Sequence, residues 1–452
     1  VKTAIATSVR RATAAATTLT GKRFGLLVAS SVVATSAIVA GALTGTGESG
    51  ALAALLGRSL TSDQAPAPAA PAPSPWSPFA AGSAPRQGGS AAAGASPEPP
   101  APVPTGPIAE PSPKDPAATP SAPTPEAGRI KHVFVISLAS PGYEAAFGTT
   151  SQMPYLSGTL RPQGKLLSGY SLLDDAGLAN SIAAVSGQPP NPATQANCST
   201  YAEFPPGSKL DSKGVVSGSG CMYPVEALTI ADQLTSARLS WHAYIDGMAD
   251  ESGRPHSCVH PEPGAGDQPA LGAYAARQNP FVYFHSLLDL GDCASDDLPL
   301  AELSKDLRTV SSTRSYSFIA PSLCDGGIAG QCPEGAPGGA AAADAFLSQW
   351  VPKILASPAY EQDGLLVVDF NEIDAAETAT TAPSATTASD RQVGALLLSR
   401  FTTPGAADAV PYNPYSLLRS VEDLFGLSHL GKANGIKVKS FAPALLGETS
   451  GD

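Results

Sequence analysis

Charge is scarce in this sequence. Only 15 % of its 452 residues are Asp, Glu, Lys or Arg, and the acids win, leaving a net charge of -12. That balance argues against a nucleic-acid partner. No C-x-x-C pair occurs, which removes a zinc ribbon. There is no G-x-S-x-G, no H-E-x-x-H and no P-loop, so three common hydrolase and nucleotide-binding motifs are missing. One further absence concerns a single loop. His132 to Gly148 reads HVFVISLASPGYEAAFG. Val133 to Ser137 is uncharged and β-branched, as a buried parallel strand is. In an open α/β sheet ligands sit at the carboxyl end of such a strand. Here the loop is Ala139-Ser140-Pro141-Gly142, with no carboxylate, histidine or lysine. Tyr143 and Glu144 just beyond it read as the first turn of a helix.

What is present falls into segments. Residues 1–23 carry Lys2, Arg10, Arg11, Lys22 and Arg23 and no acid. Phe24 to Leu43 is then an uncharged run of twenty residues, long enough to cross a bilayer with its basic end in the cytoplasm. The long leader and long run favour an uncleaved anchor, a single-pass membrane protein with its C-terminal domain outside the cytoplasm. The alternative is a signal peptide cut near Ala42, in the Ala40-Gly41-Ala42 stretch, giving a secreted protein. Residues 62–128 repeat Pro-Ala and Pro-Ser pairs, a disordered polyproline-type linker whose upper span is on the order of 200 Å. A spacer of that reach suits a domain held away from a membrane.

Residues 129–452 remain for one α/β domain. They hold all six cysteines, Cys198, Cys221, Cys258, Cys293, Cys324 and Cys332. An even number in an exported chain points to three disulfides. Sequence leaves their connectivity open; sequential pairing (198–221, 258–293, 324–332) is expected because each bridge closes a Gly/Pro-rich loop with little core. Strand-like runs are His132–Ser137, Trp241–Ile245, Tyr316–Ala320, Leu365–Phe370 and Ala395–Ser399. Helical periodicity marks Ala227–Ala237, Ala342–Ala356 (with Pro352 as a kink) and Ser416–Phe425. Ser186-Gly187 reads as a helix C-terminus. The alternation predicts a mostly parallel central sheet with helices on both faces.

The residues alone yield no complete active site. Leu365–Glu372, LLVVDFNE, ends a strand with Asp369 and Asn371 on one face and Glu372 on the other. Carboxylates there can hold a divalent cation, or simply face water. His256 and His260 have i, i+4 spacing but sit among Pro and Gly, so surface positions are expected.

The order of segments is more telling. From His132 onward the chain resembles the bacterial phosphoesterase family of acid phosphatases and phosphatidylcholine-type phospholipases C, which has an alkaline-phosphatase-like fold. The resemblance rests on HVFVISLASPGYEAAFG, MPYLSGTLRPQGKLLSGY, DAGLANSIAAVSGQPP, TIADQLTSARLSWHAYIDGM and QNPFVYF. It continues through SFIAPSLCDGG, DAFLSQWVPKILASPAY, GLLVVDFNE, VGALLLSRFTTPG and PYNPYSLLRSVEDLFGLSHLG. It implies where metal ligands and nucleophile belong, and most of those places have changed. The Glu and Asn after the first strand are Ala139 and Ser140. The nucleophile's place is Gly177, with Asn180 retained. The His of H-N-P-F is Gln278, followed by a matching Asn279. A His-Asp pair is replaced around Ile328-Ala329, the D-E pair becomes Asn371-Glu372, and the His of Y-N-H-Y is Pro414.

Gly177 has nothing to attack with, and Asn371 and Glu372 supply little charge for a hydrolytic metal. The expectation is therefore a family homologue without catalysis and without a cofactor, binding or scaffolding at the cell envelope. Its partners would be the membrane through the N-terminal helix and an envelope protein or phosphate-ester ligand. A phosphoesterase rebuilt around Glu372, Asp369, Asp174, Asp175 and Asp325, needing a divalent metal, is the alternative. A third reading is an adhesion module whose important part is the stalk.

Overall fold

Seven consecutive buried residues, His132–Leu138, form β1. Successive side chains in a strand point to opposite faces, so full burial means that both faces of the sheet are covered here. The computed structural model describes residues 130–250, 252–267, 269–373 and 391–446. The basic tail, the apolar run and the linker read from the sequence lie outside the described residues. None of the described helices is long and apolar enough to cross a membrane.

The other strands are β2 Lys165–Leu167, β3 Trp241–Ile245, β4 Asp297–Pro299, β5 Tyr316–Ala320, β6 Gly364–Phe370, β7 Ala395–Leu398 and β8 Ala407–Asp408. The helices that bear on the site are α1 Tyr143–Phe147, α2 Gly177–Ser186, α3 Ile230–Ser236, α4 Ala340–Leu355 and α5 Pro414–Phe425. The sheet order is β4-β3-β5-β1-β6-β7-β2-β8. From β4 to β6 every pairing is parallel, with β1 between β5 and β6. β7 runs antiparallel to β6 and to β2, so the sheet is mixed on that side.

Local chemistry explains the helix boundaries. Thr229 accepts from the Asp232 amide while the Asp232 side chain accepts from the Thr229 amide, a capping box that starts α3 at Ile230, later than apolar spacing implies. Asn413 caps α5 and Pro414 takes its first turn, two residues earlier than expected. α4 continues past Pro352 to Leu355. Gly187, at φ +70°, closes α2 in the left-handed conformation that glycine tolerates.

The disulfides are Cys198–Cys221, Cys258–Cys293 and Cys324–Cys332, and no cysteine is free. Three bridges accord with an oxidising, extracellular compartment.

Among the buried carboxyls, three are strongly perturbed. Burial pushes Asp297 and Asp369 up to about 7 and Glu422 up to about 8. The folded chain therefore holds protons that the unfolded chain has released. Stability from these groups is full below about pH 4 and is lost as pH rises through about 7 to 8. The melting temperature is expected to drop between pH 5 and pH 8. Each group contributes up to about 1.4 kcal/mol per pH unit. In Asp369→Asn the slope should flatten by one group's share; an unchanged slope in a thermal melt series would contradict the assignment.

Candidate functional site

The site positions converge because the ladder between β1 and β6 runs on past the strand ends. Asn371 N donates to Leu138 O at 2.8 Å and Glu372 N to Ala139 O at 2.7 Å. Ala139 and Ser140 both donate their amides to Gly326 O at 2.9 Å, which ties the loop after β5 to the same point. Gly177, the first residue of α2, comes in from the other side. A Cβ placed on it would lie 2.8 Å from Glu372 Oε2 and 3.1 Å from Asn371 Oδ1. The structure thus brings together Ala139, Ser140, Gly177, Asn371 and Glu372, the places where the resemblance puts metal ligands and nucleophile.

What fills the space beside Ala139 is apolar. Ala139, Ala275, Leu323 and Ile328 form a separate buried hydrophobic cluster. Ala275 leads into the 3-10 turn Ala276–Gln278, which packs against α2. Gln278 is 1 % exposed, and both of its amide atoms lack a protein hydrogen-bond partner. Ser140 Oγ and Asn371 Oδ1 are buried and unpartnered in the same way. Asn279 is occupied elsewhere: its Nδ2 donates to Asp297 Oδ2 at 2.7 Å and its Oδ1 accepts from Phe281 N at 3.3 Å. Pro414 stands at the start of α5, which packs along α2.

Asn180 holds this arrangement. Its Oδ1 accepts from the amides of Leu173 and Asp174, at 2.8 and 3.2 Å. Its Nδ2 donates to the carbonyls of Asp174, Ala176 and Asn371, at 2.8, 3.0 and 2.9 Å. One amide therefore fastens the approach to α2 onto the end of β6. Asn371 Nδ2 in turn donates to Ser181 Oγ at 2.9 Å and lies 3.5 Å from Ser137 Oγ. Ser137 also hydrogen-bonds Asp369, so Asp369 and Asn371 do share a face, as strand alternation implies. Tyr170 Oη reaches Asp369 Oδ2 at 3.5 Å.

The remaining acidic candidates are committed to other contacts. Asp174 accepts from Ala176 N and Gln195 Nε2, and Asp175 pairs with Arg391 at 2.7 Å. Asp325 meets Asp246, a residue the sequence does not single out, at the carboxyl end of β3. Burial first, then Asp325, raises the Asp246 carboxyl. Asn197 was also missed. At φ +49°, which asparagine tolerates, it offers Oδ1 to Leu178 N at 3.0 Å and caps α2 from nineteen residues away. His256 is exposed, and His260 stacks on Tyr201. Tyr143 and Glu144 open α1, as expected.

Asn180→Ala removes five hydrogen bonds and strands buried backbone groups. It should lower unfolding free energy by about 2–4 kcal/mol in urea. A change under about 0.5 kcal/mol, the size of an ordinary surface substitution, would show that the amide is not the fastening.

The family model described as Phosphoesterase family matches residues 130–428. No curated protein matches the sequence. Solved structures similar to it include a protein of the alkaline phosphatase superfamily from Vibrio parahaemolyticus, 13 % identical over 66 % of this chain and 67 % of that one, with a TM-score of 0.40. A phosphonate monoester hydrolase from Silicibacter pomeroyi is 12 % identical over 71 % of this chain and 78 % of its own, with a TM-score of 0.37. The lipoteichoic acid synthase of Listeria monocytogenes is 13 % identical over 71 % and 76 %, with a TM-score of 0.36. Matched over more than half of its length, the chain belongs to the phosphoesterase family.

Proposed function

We propose that this chain is a non-hydrolysing member of its family, a binding or scaffolding protein of the cell envelope. The observation that carries the reading is the apolar cluster in which Ala139 and Ile328, at places where the resemblance expects polar site residues, pack with Ala275 and Leu323. A hydrolytic cation needs several anionic or imidazole donors converging on one point. Here one carboxylate, Glu372, and one neutral amide, Asn371, face the glycine at 177. Hydrocarbon from Ala139 and Ile328 lies where further donors belong. The residues do not fit a catalytic metal.

Binding is supported by the polar groups that remain. Ser140 Oγ, the Gln278 amide and Asn371 Oδ1 are buried donors and acceptors without protein partners. Such groups suit a polar ligand, a phosphate ester among them, held without being cleaved. Placement at the envelope follows from the sequence: residues 24–43 as anchor, or a signal cut near Ala42, and residues 62–128 as spacer. A second reading, hydrolysis at a rebuilt site, draws on the Asp246–Asp325 carboxylate contact and on Glu372.

Elemental analysis and p-nitrophenyl phosphate turnover of the purified chain separate the two. The expected result is no stoichiometric divalent cation and background turnover. Gly177→Ser, which restores a hydroxyl, should leave turnover at background. A bound cation with turnover that Glu372→Ala abolishes would establish the second reading instead.

A further inference from the structure

Against the net charge of -12, lysines gather at one place. Of the nine lysines among the described residues (131, 165, 209, 213, 305, 353, 432, 437 and 439), five belong to two adjoining stretches. Lys209 and Lys213 lie on the turn over residues 209–217, and Lys432, Lys437 and Lys439 follow α5; all five are exposed. Gly431 N donates to Lys213 O at 3.1 Å, which joins the stretches. Asp211, the acid between Lys209 and Lys213, is turned onto its own loop, accepting from Lys213 N at 2.8 Å and Val215 N at 3.0 Å. Residues 431–440 contain no acid.

Ile436 projects from the second stretch and is 98 % exposed, more than any other large apolar side chain among the described residues. The turn beneath it is braced. Gly435 N donates to Lys432 O and Val438 N to Gly435 O, both at 2.9 Å. Arg419 Nη1 donates to Ala433 O at 2.9 Å and Gly435 O at 3.2 Å. A braced turn that holds one apolar side chain in water among lysines has the chemistry of a membrane-interface contact. The hydrocarbon enters the headgroup boundary while the ammonium groups meet anionic lipid. The acidic remainder of the chain is repelled by the same surface, so this patch sets the orientation.

We infer that Ile436 and its five lysines dock the domain onto an anionic lipid bilayer. The patch does not compete with the family site. Lys432 N donates to Gly187 O at 2.8 Å, at the carboxyl end of α2, whereas Gly177 begins that helix about 15 Å away. Contact with lipid therefore leaves Gly177 and its neighbours, at the other end of the helix, uncovered.

The test uses the full chain. Every native cysteine is in a disulfide, so Ile436→Cys supplies a single thiol for an environment-sensitive fluorophore. Ser348→Cys, exposed on α4, is the control for mere nearness to a membrane, which residues 24–43 as an anchor would by themselves provide. With vesicles of phosphatidylglycerol and phosphatidylcholine, emission at 436 should rise several-fold and shift to the blue, and emission at 348 should stay flat. Combined Lys432→Glu, Lys437→Glu and Lys439→Glu, or high salt, should return the 436 signal to its level with phosphatidylcholine alone. No rise at 436, equal rises at both labels, an equal rise on neutral vesicles, or the same blue shift with soluble polyphosphate would each overturn the inference.

Discussion

The continuation of the β1–β6 ladder beyond both strand ends is the constraint on which the site depends. Two backbone bonds, Asn371 to Leu138 and Glu372 to Ala139, fix the loop after β1 against the loop after β6. Buried main-chain groups need partners whatever side chains they carry. The backbone geometry of the site therefore does not depend on which side chains stand at 139 and 177. Asn180 extends the same logic to α2, since its partners are backbone atoms.

Charge burial follows from that frame. Asp369 lies two residues before Asn371 with Ser137 and Tyr170 as its polar neighbours, and burial raises its carboxyl. A neutral acid at that depth spares the core an unpaired charge. It adds no anionic pull on a cation above it while it stays protonated.

The central strands were legible because continuous apolar runs leave few alternatives. β1, β3, β5 and β6 lie within about a residue of where their β-branched stretches fall. β7 was found as well, but its antiparallel direction depends on a crossover that no local pattern records. β2, β4 and β8 have three, three and two residues, too few for periodicity to register. In the site, motif order located Gly177, Asn180 and Asn371 beside one another in sequence-distant segments. The Asp246–Asp325 contact and the Asn197 cap escaped notice because each joins residues through tertiary packing, and an isolated Asp or Asn carries no signal of it.

The three disulfides have one more consequence. Their ring sizes are set by separations of 23, 35 and 8 residues, and none of the six cysteines lies in a strand. Each staple thus belongs to the connections between strands, with Cys198 next to the residue that caps α2. A chain whose thiols stay reduced would retain the residues of every strand pairing while three connections lost their cross-links. Closure of the loops around the site, as distinct from pairing of the strands, thereby depends on thiol oxidation.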